Sequence, residues 1–83
     1  MSDGKIVQKV VRYIVSGIVE DPKSIKVDLI KDDDNSVTVE VRTAEQDMGR
    51  VIGKRGRVAR AIRTVAQAAA DEEGLSSSVE FID

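Results

Sequence analysis

Eighty-three residues give room for one domain with a single two-layer core, and a composition of 41% hydrophobic and 34% charged residues marks a folded chain rather than a disordered one. The complete absence of cysteine and histidine excludes disulfides, thiolate or imidazole metal sites, a cysteine nucleophile and the usual general base near neutral pH. Net charge is only −2, so partners must be read from how charge is distributed along the chain.

The N-terminal "MSDGKIVQ" lacks the basic n-region and cleavage site of a secretory leader. No apolar run approaches the ~18 residues of a membrane span, so no membrane partner is expected and the expected compartment is the cytoplasm. "KIVQKVVRYIVSGIVEDP" is rich in β-branched residues. Even so, Ile6, Val10, Tyr13, Ile14 and Gly17 recur at helical spacing over a stretch too long for an ordinary strand. The pattern predicts a helix over 5–19 with that stripe toward the core, Asp3 capping its start and Asp21-Pro22 stopping it.

Two alternating runs follow. "SIKVDLIK" sets Ile25, Val27 and Leu29 against Lys26 and Asp28, and "SVTVEVRT" sets Val37, Val39 and Val41 against Thr38, Glu40 and Arg42. The turn-forming "DDDNS" between them predicts an antiparallel hairpin. Its three aspartates lack the spacing and the glycine of a calcium loop, so they read as a solvated turn.

Thr43-x-x-Gln46 has the form of a capping box, with Met48, Val51 and Ile52 helix-spaced behind it. This predicts a short helix over 45–52 ended by Gly53, a third helix over 56–71 closing at Gly74, and a last strand, "SSVEFI", with Val79 and Phe81 inward. The order is αββααβ. The expected fold is a single α+β domain over 1–83, with three helices covering one face of a three-stranded sheet.

The charge is concentrated. Arg50, Lys54, Arg55, Arg57, Arg60 and Arg63 make a local +6 that leaves −8 on the rest of the chain, with no carboxylate between Asp47 and Asp71. Two helices must meet across Gly53-Lys54-Arg55-Gly56. Gly53 can end the first of them in the left-handed αL conformation, and Gly56 allows another backbone to approach the start of the second. The free N–H groups and positive dipole end of that helix, with Lys54 and Arg55 at the apex, make an anion site.

A lone G-x-x-G would read as a structural corner. The surrounding run of one sign shifts the reading toward phosphate, because a purely structural surface intersperses charges. "GKRGR" fails the Walker pattern, and the third glycine and preceding strand of a dinucleotide fingerprint are absent. A polynucleotide backbone fits the extent of the patch. Tyr13 and Phe81, the only aromatics, fall on predicted core faces, so bases are expected against an aliphatic groove, with Ile52 and Val58 lining it or anchoring its floor.

Catalytic candidates are poor. Asp71, Glu72 and Glu73 crowd a helix end, and Ser76 to Ser78 read as a loop, so neither an enzymatic site, a cofactor nor a metal is expected. The competing reading is a protein-interaction module whose glycine corner is structural and whose arginines meet an acidic partner.

"VIGKRGRVARAI" resembles the V-I-G-x-x-G-x-x-[IV]-x-x-I signature of KH domains, and αββααβ resembles their type II, bacterial arrangement. "DMGRVIGKRGRVARAIRTV" with "IVEDPKSIKVD" is similar to the small single-domain bacterial KH proteins of the KhpA, or YlqC-like, family, over essentially the whole chain. The resemblance implies a single-stranded RNA-binding protein, an RNA chaperone or post-transcriptional regulator. Its Gly53–Gly56 loop would clamp the backbone of about four nucleotides. It also implies partnership with a KhpB (Jag)-type KH protein and a role in control of cell division and cell shape.

The third helix suggests a further contact. Arg60, Arg63, Thr64 and Gln67 fill its polar arc, leaving an apolar arc about 200° wide where roughly 100° would cover a sheet. The first helix is also apolar beyond its stripe, at Val11, Val15 and Ile18. The surplus predicts a homodimer through the distal half of the third helix, at Val65, Ala66, Ala69 and Ala70.

Overall fold

The computed structural model describes residues 3–83. Period-two alternation produces a hairpin, β1 (Lys26–Asp33) and β2 (Ser36–Arg42), paired antiparallel with Leu29 opposite Val39. The turn falls at Asp34 and Asn35. There the Asn35 N–H donates to Asp33 Oδ1 at 2.7 Å, which holds the Asp33 carboxyl below its ordinary range. The final strand, β3 (Ser76–Phe81), joins the other side of β2 in parallel, Val79 opposite Val39, giving the order β1-β2-β3. A parallel neighbour needs a long crossover. Two helices supply it, α2 (Glu45–Ile52) and α3 (Arg57–Glu72), joined by a 3₁₀ turn at Lys54–Gly56.

One face of the sheet carries the core. Val37, Val39 and Val41 of the central strand are buried together with Val27 and Val79, beneath α1 (Lys5–Ile18) and α3. Full burial of one such aliphatic side chain contributes about 1.5–3 kcal/mol. The predicted order, hairpin and layering are those observed.

The first helix has the predicted extent but not the predicted phase. Val7, Val11 and Val15 are buried, with Ile14 and Ile18 packed beside them. Ile6 is 53% and Tyr13 82% exposed. The stripe beginning at Val7 has the same spacing as the one beginning at Ile6, but it is aliphatic throughout, whereas the other includes a tyrosine and a glycine. The more apolar face won. Gly4 precedes the first turn, and the Lys5 N–H donates to Asp3 Oδ1 at 3.0 Å, so Asp3 does satisfy the helix start. Gln8 Nε2 donates to the Val27 carbonyl at 2.8 Å and fixes the helix to the hairpin.

The second helix also has the predicted extent, without the predicted capping box. Thr43 Oγ1 donates to the Ala44 carbonyl, and no side chain caps the helix. Its first turn is secured through Asp47, a 1% exposed carboxylate that accepts the Glu20 and Asp21 N–H groups, each at 3.0 Å. That carboxylate ties the chain leaving α1 to the start of α2. It satisfies two backbone donors that the bend after α1 would otherwise strand.

In α3 the buried residues are Ala59, Ile62, Ala66 and Ala70. Ala66 and Ala70 are therefore core, and this corrects the expectation that they form a contact surface. With Val11 and Val15 also buried, the apolar surplus is narrower than the helical wheel predicted. Small side chains let α3 lie close over the sheet, and that approach consumes the alanines. No helix among the described residues is long and apolar enough to cross a membrane.

Candidate nucleic-acid interface

The glycine-flanked turn is built by backbone geometry. Gly53 has φ 78° and ψ 171°, an extended positive-φ conformation essentially reserved for glycine rather than the αL state expected of it. The difference has a cause: the chain folds Val58 back against the glycine α-carbon, and a β-carbon there would collide with Val58 Cγ2. Arg55 and Gly56 then take left-handed conformations, at φ 58° and φ 71°. The Gly56 N–H donates to the Gly53 carbonyl at 3.1 Å, closing the turn. A β-carbon on Gly56 would meet no protein atom within 4 Å, so that glycine faces open space, as an approach site for a ligand requires.

The cations meet around this turn. Lys54, Arg55, Arg57, Arg60 and Arg63 are exposed, and none forms an ion pair among the described residues. No side chain caps α3 and no acidic residue lies in its first turn, so the positive dipole end adds to their field. Arg50 stands apart: it pairs with Glu20 at 2.8 Å, so its charge is already partly neutralised. Ile52, 37% exposed, immediately precedes Gly53 and is the apolar side chain at the turn.

Two grooves flank α3. The first, about 310 Å³, is apolar and runs between α1 and α3, lined by Ile14, Ile18, Val58, Ala61, Ile62 and Val65, with Arg57 at its edge. The second, about 540 Å³, lies on the opposite side of the helix and is lined by Arg60, Arg63, Thr64, Gln67, Ala68 and Asp71. The cationic face and the aliphatic groove are therefore largely distinct surfaces that meet at Arg57.

The second groove borders β3. Arg63 Nε donates to the Val79 carbonyl at 3.2 Å, and its guanidinium lies 5.3 Å from the centroid of the Phe81 ring. Gln67 accepts the Ser77 N–H at 2.9 Å and donates to the Leu75 carbonyl at 3.3 Å. Arg60 donates to the Arg55 carbonyl at 3.3 Å, joining helix to turn. Gln67, Phe81 and Asp47 were not legible as parts of this arrangement. In the sequence Gln67 reads only as a polar helix position, Asp47 only as the boundary of the carboxylate-free stretch, and Phe81 only as core.

Comparison with known proteins agrees with this geometry. The family profile described as KhpA/KhpB, KH domain, matches residues 8–81. The chain is 39% identical over 75 residues to the RNA-binding protein KhpA of Clostridium perfringens, covering 90% of this chain and 99% of that one. It is 40% identical over 74 residues to the RNA-binding protein KhpA of Caldanaerobacter subterraneus subsp. tengcongensis, covering 89% and 97%. The RNA-binding protein KhpA of Listeria monocytogenes is 33% identical over 76 residues, covering 92% and 99%. A glycine-flanked cationic turn between two helices, an αββααβ order and this agreement along nearly the whole length place the chain in the KhpA/KhpB KH-domain family.

Proposed function

We propose that the protein binds single-stranded RNA, clamping the sugar-phosphate backbone at the Gly53–Gly56 turn, and that it acts in the cytoplasm as an RNA chaperone or post-transcriptional regulator. The observation that carries this reading is the cluster of five exposed, unpaired cations around an open glycine at the start of an uncapped helix. Lys54, Arg55 and the α3 start hold phosphates, and Arg57 and Arg60 extend the track. The cations on the second groove favour that side for the nucleotides, and the exposed Ile52 beside Gly53 offers an apolar contact at the turn. Arg50 contributes once it leaves Glu20. The chemistry is binding alone, with no catalytic group and no cofactor.

The apolar groove between α1 and α3 supports a second, compatible activity. Ile14, Ile18, Ala61 and the 44% exposed Val65, with the half-buried Ala69 nearby, form a protein-contact face. A homodimer, or a heterodimer with a KhpB (Jag)-type KH protein, covers it, and control of cell division and cell shape would run through that assembly. RNA and protein then occupy different sides of α3, with Arg57 at the boundary between them.

Titration of a fluorescent single-stranded RNA at several salt concentrations tests the main reading. About four phosphate contacts give a log–log slope of roughly −3. A pure protein-interaction module gives no saturable binding at physiological salt.

A further inference from the structure

Arg63 differs from the other cations at the site because two contacts tie it to one strand. A phosphate contact needs only a mobile charge, whereas Arg63 is tethered by two contacts on the same strand, the Val79 carbonyl and the Phe81 ring. The residue is nonetheless exposed and lines the second groove, so its guanidinium is open to a ligand there. The groove is continuous with the glycine turn, because Arg60, one helical turn earlier, bonds the Arg55 carbonyl. At 1.5 Å of rise per residue, Arg63 lies about 10 Å along α3 from Gly56, within the span of a short bound oligonucleotide.

We infer that the Arg63 guanidinium, backed by Phe81, is a stacking platform for one nucleobase of the bound RNA. This rests on the RNA reading above and adds a specificity-determining position to it. Bases stack on arginine planes as they do on aromatic rings. No aromatic side chain is among the residues that line the groove. Tethering the side chain in advance lowers the ordering cost that a free arginine would meet on binding. A larger ring system overlaps the plane more fully, so a purine is preferred over a pyrimidine at that one position.

The test is an abasic scan of a short single-stranded RNA, removing one base at a time, measured by fluorescence anisotropy against the wild-type protein, Arg63→Lys and Phe81→Leu. Circular dichroism and thermal melts confirm that each variant is folded. For the wild type, one position shows a loss of about tenfold on base removal, as expected for a single stack. In Arg63→Lys the charge stays and the plane goes, so the loss at that position disappears while the salt slope is kept. Phe81→Leu, which leaves Arg63 in place without its backing, reduces the same loss. An unchanged abasic profile in Arg63→Lys overturns the platform and leaves the backbone clamp standing. Failure of the wild-type protein to bind the RNA overturns both.

Discussion

The side chain of Val58 occupies the volume that a β-carbon on Gly53 would need: such a carbon would lie 2.8 Å from Val58 Cβ and 2.9 Å from the Val58 nitrogen. Collision and a glycine-only backbone conformation act together there. Gly53→Ala should therefore destabilise the protein by about 2–4 kcal/mol. Gly56→Asp faces open space, and aspartate tolerates left-handed backbone, so its cost should be about 1 kcal/mol or less. Thermal melts separate the two. RNA titration should show that Gly56→Asp, although folded, has lost binding through charge and obstruction.

Reversing the charge at the apex should uncouple binding from stability. Lys54→Asp with Arg55→Asp should abolish RNA binding at physiological salt and leave the circular dichroism spectrum and melting temperature nearly unchanged, since both side chains are exposed. Arg55 also holds a left-handed conformation that L residues adopt at a cost. Arg55→Gly should consequently keep or raise stability, by up to about 1 kcal/mol, while weakening RNA binding.

Arg60 is a test of simple electrostatics. Arg60→Ala should weaken every RNA sequence about equally and reduce the log–log salt slope by about 0.7, the signature of one phosphate contact on a single strand. A change in base preference with an unaltered slope would refute this role.

Asp47 carries structure rather than binding. Asp47→Ala leaves the Glu20 and Asp21 N–H groups without their acceptor, which should cost about 2–4 kcal/mol. Chemical denaturation should show the loss. Below the new transition, RNA affinity should be retained, because neither donor lies at the glycine turn.

Association should respond to the α1–α3 groove. The native protein should sediment as a dimer at micromolar concentration, and Val65→Glu should give a folded monomer that still binds RNA. Ala69→Glu should act in the same direction. Strictly monomeric behaviour of the native protein at high micromolar concentration would exclude the homodimer.

Element order and extent were largely legible in the sequence because period-two and helical spacings are strong and the turns are well marked. Phase was harder. In α1 two stripes one residue apart satisfy the same spacing, and the all-aliphatic one, beginning at Val7, is the one that packs against α3 and the hairpin. Ala66 and Ala70 look alike on a helical wheel whether they face a sheet or a partner, and their depth depends on how closely α3 descends. At the site, the glycines and cations were readable from local pattern. The anchoring of Arg63 by Val79 and Phe81 was not, because it joins residues 16 and more apart in sequence through a strand pairing. Asp47 was hidden for the same reason: its partners lie 26 and 27 residues away.

The grip of Gln67 and Arg63 on β3 reaches beyond recognition. An edge strand with free backbone groups is a template onto which another chain can add, and repeated addition is the route to cross-β aggregates. Here α3 occupies the Ser77 N–H and the Leu75 and Val79 carbonyls. At the opposite edge of the sheet, β1 is guarded by the exposed charges of Lys26, Lys31, Asp32 and Asp33. Growth of the sheet is thereby hindered on both sides, which leaves the helices as the more favourable surface for association. If copies bound along one transcript associate through those helices, as proposed, they would come apart again without seeding a fibril.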